Sequence, residues 1–171
     1  MGFGFGGWIA AEMAVRSTAQ IQRLVLVDAV GIKVGGTTDR DIADTFIVGP
    51  EEVLRLTWHD PEAGKSVMKF PDASLPEPEL IALLRNRQSA ALFGWKPFMH
   101  NPKLRGRLYR IDVPALAIWG ESDRVVVPAY GEAYAKAIPG ARFEVILEAG
   151  HCPHLERPDA FLFAVMPFLK G

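Results

Sequence analysis

A single cysteine, Cys152, stands in 171 residues, so no internal disulfide can staple the chain and its stability must come from a packed core. One unpaired thiol fits a reducing compartment. Charge of one sign is not in excess either: 19 Lys plus Arg face 20 Asp plus Glu, a formal net charge of −1. Displacing counterions from nucleic acid, or docking on an anionic membrane, takes a clustered basic excess, so neither partner is expected. Long apolar runs are also lacking. The longest charge-free apolar stretch near the C-terminus, Phe161 to Leu169, is far short of the roughly 20 residues that cross a bilayer. No basic segment precedes an apolar one at the N-terminus, and Gly6 occupies the place where a myristoylation pattern wants Ser or Thr. What is there is 49% hydrophobic residues, too many for a disordered chain. These features predict a soluble, cytoplasmic globular protein.

The chain divides by pattern. Glycines cluster at Gly2-Phe3-Gly4-Phe5-Gly6-Gly7, with no strand pattern ahead of them. An Ala-rich helix is predicted from Trp8 to Val15, apolar around most of its surface and therefore buried. Arg23 to Asp28 is a short run of Leu and Val, the pattern of a strand covered on both faces of a parallel sheet. From Gly31 to about Arg110 the pattern changes to short helical pieces, at Asp39–Phe46, Glu51–Trp58 and Pro78–Phe93, the last with Pro at its start and Gly94 just past its end. After Pro114 strands and helices alternate: strand Ala115–Trp119, helix Pro128–Ala137, strand Phe143–Leu147, and a helix from Pro158 that Pro167 should kink or end. Alternation of this kind predicts right-handed βαβ units and a parallel α/β sheet.

The glycine cluster satisfies two unrelated patterns. Gly2, Gly4 and Gly7 form a Gly-x-Gly-x-x-Gly that opens a helix, and Asp28 follows Gly7 by 21 residues at a strand end, where a dinucleotide-binding fold reads a ribose. Gly2-Phe3-Gly4-Phe5-Gly6 also fits the nucleophile elbow Gly-x-Ser-x-Gly, both flanking glycines present and Gly4 where the Ser would stand. The rest of the chain has to decide.

Asp123 lies just beyond one predicted strand, within Trp119-Gly120-Glu121-Ser122-Asp123-Arg124-Val125-Val126-Val127-Pro128. His151 lies beyond the next, within Ala149-Gly150-His151-Cys152-Pro153-His154-Leu155-Glu156-Arg157-Pro158. Both fall at the carboxyl ends of strands, the edge where ligands bind in open α/β sheets. In the order elbow, acid, His, these three blocks resemble the α/β-hydrolase superfamily, and the resemblance runs the length of the chain. It implies a partial α/β-hydrolase fold: parallel strands with flanking helices and a helical cap insertion. Residues 1–30 would supply elbow, helix and strand, residues 31–110 the cap, and residues 111–171 the later core with the acid and His loops. Because the cluster stands at the first residues, a carboxyl-terminal portion of that fold is expected, with Arg23–Asp28 an unpaired sheet edge open to self-association. The segment from Trp95 to Pro114 resembles the cap exit of carbon–carbon bond hydrolases and related esterases.

The resemblance also implies roles. His151 would be the general base, Asp123 would hold its imidazole, and the Phe5 N–H would give half of an oxyanion hole. Gly4, at the nucleophile position, has neither hydroxyl nor thiol, so no acyl-enzyme can form there. Little or no ordinary esterase activity is expected, although His151 and Asp123 could still act on a water. Asp28 is a reserve acid, since some hydrolases carry theirs after this strand. Trp95 is a cap aromatic that could also line the substrate pocket. Cys152 reads as a small packed residue, His154 as a packing neighbour, and His59-Asp60 as solvent-facing. No cofactor and no metal is implied; the partner would be a small-molecule substrate. A binding protein that keeps the hydrolase fold, and a dinucleotide-binding fragment, are the competing expectations.

Overall fold

A computed structural model describes all residues from Met1 to Gly171. Four parallel strands form one sheet in the order β1 (Gly2–Phe3), β2 (Leu24–Val27), β3 (Ala115–Gly120), β4 (Arg142–Ile146). All residues of β2 and β3 are buried, and the alternation of side chains along a strand explains how. Leu24, Leu26, Ala115, Ala117 and Trp119 face the larger core layer with α1 (Gly4–Ala14) and α5 (Pro128–Lys136). Val25, Val27, Leu116 and Ile118 face the other layer, against Phe161, Ala164, Val165 and Phe168 of α7 (Pro158–Lys170). Each such aliphatic side chain, fully buried, stabilises the fold by roughly 1.5–3 kcal/mol. β4 alternates exposed Arg142 with inward Phe143 and forms the far edge.

A strand absent from the sequence reading lies in the first two residues of the glycine cluster: Gly2 and Phe3 pair in parallel with Leu26 and Val27. Two residues are too few to show a period, which is why the pattern missed it. β2 is therefore paired on this side at its carboxyl-terminal half. Helix α1 starts at Gly4, four residues before the predicted Trp8, so Gly4 to Gly7 of the cluster form its first turn rather than a loop.

Between β2 and β3 the chain is helical, with α2 (Pro50–Thr57), α3 (Pro61–Val67), α4 (Glu77–Gly94) and a 3-10 helix at Arg105–Arg110. The predicted helix at Asp39–Phe46 does not form. Asp41 accepts from the N–H groups of Val34 and Gly35, Asp39 from Gly36 and Asp44 from Phe46, so these carboxylates draw the backbone into turns instead. The unpredicted α3 has its cap in Asp60, whose side chain accepts the Glu62 N–H at 3.0 Å. Pro167 lies inside α7, which nonetheless continues to Lys170. The carbonyl that Pro167 cannot bond belongs to Phe163, a residue 84% exposed, so water can take it. A short α6 (Pro153–Glu156) precedes α7. No helix is long and apolar enough to cross a membrane.

Candidate active site

The turn from β1 into α1 is tight for reasons of contact. A Cβ on Gly2 would stand 2.3 Å from the Gly6 carbonyl oxygen, and one on Gly7 would stand 2.5 Å from Ala29 Cβ beside β2. Gly6 has open space around it, so the glycine that lets α1 approach the sheet is Gly7, not Gly6 as the motif suggested. At the apex Gly4 has φ +47°, a left-handed conformation that costs any other residue energy. As the second residue of α1, Phe5 has an N–H with no carbonyl one turn earlier in the helix to receive it.

Two loops from the neighbouring strands converge on Gly4. After β3, Asp123 is 2% exposed; its Oδ1 accepts from the N–H groups of Val125 (2.8 Å) and Val126 (3.1 Å). Its Oδ2 lies 2.8 Å from His151 Nδ1. A carboxylate can only accept, so Nδ1 carries a proton, and in the neutral ring Nε2 holds the lone pair. That Nε2 faces the apex: a Cβ on Gly4 would be 3.1 Å from it. After β4, the His151 N–H donates to the Thr57 carbonyl at 2.6 Å, the last residue of α2. Glu156 accepts from the N–H groups of Gly150 (2.6 Å) and His59 (2.7 Å). The end of α2, the residues just after it and the His151 loop are thus one hydrogen-bonded unit.

Asp28, at the carboxyl end of β2, is fully buried, with φ +45°. Its Oδ1 accepts the Gly120 N–H at 2.9 Å, and Oδ2 has no partner. Burial, followed by the charge of Asp123, pushes its carboxyl well above the usual carboxylate range. An acid turned into the core is not offered to a ribose, which removes the support that Asp28 lent to the dinucleotide reading.

One oxygen from Asp28, one from Asp123 and a ring nitrogen of His151 lie within 4.8 Å of one another. Their spacing would suit a cation, but their donors are engaged: both Asp123 oxygens, His151 Nδ1 and Asp28 Oδ1 already have partners. Asp28 Oδ2 and His151 Nε2 are the donors left over, too few to make a metal site.

Cys152 is half-buried. Burial, with the charges of Asp28, Glu156 and Asp123, pushes its thiol up to about 12, so it is no thiolate beside His151. His154 packs against Phe3, the two rings tilted with centroids 4.4 Å apart, and burial followed by the His151 charge lowers its pKa. His59 is exposed, with Nδ1 2.7 Å from Ser122 Oγ. Trp58 is buried, whereas Trp95 is 53% exposed. Trp95 borders a cavity of about 290 Å³ with Lys33, Asp41, Phe98 and His100, apart from the Gly4, Asp123 and His151 group. Phe5 instead borders an open groove of about 700 Å³ with Trp8, Phe93, Pro97 and His100.

The sequence pattern did not reveal Thr57, which acts through its backbone carbonyl and so leaves no side-chain signal. Glu156 was visible in its Pro-x-x-Glu-x-Pro setting but not its task of holding three N–H groups, that of Asp60 included.

A parallel sheet with a strand–helix elbow, an acid and a His at successive strand ends is the framework of an α/β hydrolase. The chain belongs to the alpha/beta hydrolase family, whose sequence pattern matches residues 1–165. It is 28% identical, over 180 aligned residues covering all of this chain and 65% of the relative, to a Bacillus subtilis (strain 168) protein provisionally named 2-succinyl-6-hydroxy-2,4-cyclohexadiene-1-carboxylate synthase. Over 67 residues, 39% of this chain and 26% of the relative, it is 34% identical to a pimeloyl-[acyl-carrier protein] methyl ester esterase of Neisseria meningitidis serogroup B / serotype 15 (strain H44/76). The 2-hydroxy-6-oxo-6-phenylhexa-2,4-dienoate hydrolase of Rhodococcus sp. strain RHA1 shares its fold with a TM-score of 0.74 at 21% identity, over 99% of this chain and 63% of that one. The chain spans 65% or less of the length of these relatives.

Proposed function

We propose that this chain carries the acid–base half of an ester or carbon–carbon bond hydrolase acting on a small molecule, and that as it stands it turns over little or no substrate. His151 is the general base, Asp123 fixes its tautomer and would stabilise the imidazolium, and the Phe5 N–H at the start of α1 is an oxyanion donor. Residues 31–110 serve as the cap, with Trp95 an aromatic that meets substrate only if the cap moves. The observation that carries this reading is the position of His151 Nε2, 3.1 Å from where a Gly4 Cβ would be, with its lone pair free.

A serine at Gly4 would place its hydroxyl beside that lone pair. Without it the covalent route is closed, and loss of such a nucleophile lowers kcat by about 10⁶ in a related triad. A water against Nε2 is the remaining nucleophile, activated by His151 alone. Gly4 supports a second reading, a small-molecule binding protein on the hydrolase fold. Assaying wild type, Gly4→Ser and Gly4→Ser/His151→Ala with a short-chain p-nitrophenyl ester separates the two. A stoichiometric burst that needs both Ser and His151 supports the hydrolase reading; no activity in a folded Gly4→Ser variant favours the binding protein.

A further inference from the structure

The two buried carboxyls behind His151 pose a problem of proton count. Asp123 is satisfied on both oxygens, by the N–H groups of Val125 and Val126 and by the imidazole. Asp28 has one donor, the Gly120 N–H, and its other oxygen is buried without any. One oxygen of Asp28 and one of Asp123 lie within 4.8 Å of each other. Two ionised carboxylates in one dry site would both be acceptors, facing each other with like charge. One proton between them removes the repulsion and gives the orphaned oxygen a partner.

Charge is stabilised where donors are most numerous. Asp123 has three and Asp28 one, so the proton belongs to Asp28. We propose that Asp28 is held as a neutral carboxylic acid whose Oδ2 hydroxyl donates to Asp123, making it a positioning residue that orients the Asp123 carboxylate toward His151.

The groups facing Asp28 fit this assignment. From the loop after β3 comes Asp123, from α6 Glu156, and from the loop after β4 His151 and Cys152. Burial acts first and the Asp123 charge second to keep the proton on, Glu156 adds to them, and the Gly120 N–H opposes. Cys152, itself protonated, brings no charge. The line Asp28, Asp123, His151 then runs donor to acceptor to donor, with Asp123 the one anion. The role of Asp123 in orienting His151 rests on the hydrolase reading, whereas the proton on Asp28 does not.

Full-length chain labelled with ¹³C at the Asp carboxyl carbons tests this by NMR titration, the Asp28 signal being the one missing from Asp28→Asn. It should stay at its protonated position while the signals of exposed carboxylates complete their shift. The low-field Nδ1–H resonance of His151 should survive in Asp28→Asn, whose amide still donates to Asp123, and be lost to exchange in Asp28→Leu. An Asp28 signal that titrates with the exposed carboxylates overturns the proposal, and so does an unchanged His151 resonance in folded Asp28→Leu. If Asp28→Leu does not fold, the wild-type titration decides. Because no readout uses turnover, an inert Gly4→Ser enzyme would not affect the result.

Discussion

The carbonyl of Thr57 accepts the backbone N–H of His151 at 2.6 Å, so the last turn of α2 sets the height of the histidine above the sheet. The Cα of Trp58 packs against the same loop: a Cβ on Gly150 would lie 2.8 Å from it and 2.3 Å from the Thr57 oxygen. The end of α2 is therefore part of the support of His151. Gly150→Ala should push the loop away from α2 and lower stability by about 1–3 kcal/mol, the usual cost of overpacking. Urea unfolding gives the loss, and weakening of the His151 Nδ1–H resonance reports the displaced loop.

The start of the insertion is held elsewhere. The Tyr130 hydroxyl of α5 accepts the Ile32 N–H and donates to the Ile32 carbonyl, both at 2.8 Å and both buried. Tyr130→Phe keeps the ring in place but strands a buried donor and a buried acceptor. Such a loss costs about 1–3 kcal/mol, expected as a lower urea midpoint with an unchanged m-value.

Asp28 gives stability a particular pH dependence. Its folded pKa is raised above the ordinary 3.8, so between the two values the folded chain binds a proton that the unfolded chain has released. The contribution is complete below the ordinary carboxylate pKa and is lost as pH rises through the raised folded value. Asp28→Asn has no such proton to hold. Its stability relative to wild type should rise steadily with pH above about 4, read from paired urea titrations across pH. A constant difference would show that Asp28 is ionised in the folded protein.

Cys152 should resist modification. With its thiol held up at about 12 by burial and nearby acids, the thiolate is scarce near neutrality. Reaction with a disulfide reagent at pH 8 should be far slower than that of an unstructured cysteine, and unfolding in urea should restore the ordinary rate.

Much of this architecture was legible in the sequence where a run was long enough to show a period. Leu24–Val27 and Ala115–Gly120 are continuous apolar strands because both faces of the sheet are covered, and α2, α5 and α7 each begin with a proline. The pairing of Asp123 with His151 was legible only through the resemblance to α/β hydrolases, which their places after successive strands supported. What the pattern hid was short or indirect. β1 is two residues, and Asp39, Asp41 and Asp44 act through loop bonds that no helical period records. The inward turn of Asp28 depends on a positive φ at one strand end, and its partner Gly120 is 92 residues away.

Gly4 stands where the third member of a triad would be, beside the assembled pair His151 and Asp123, and the most direct measurement of this is the burst phase of Gly4→Ser with a short-chain p-nitrophenyl ester. The substitution should cost about 1–2 kcal/mol of stability through its positive φ. One equivalent of p-nitrophenol should be released rapidly, the burst should be abolished by adding His151→Ala, and wild type should show none. A folded Gly4→Ser protein with no burst, or a burst that survives His151→Ala, would contradict that placement of Gly4.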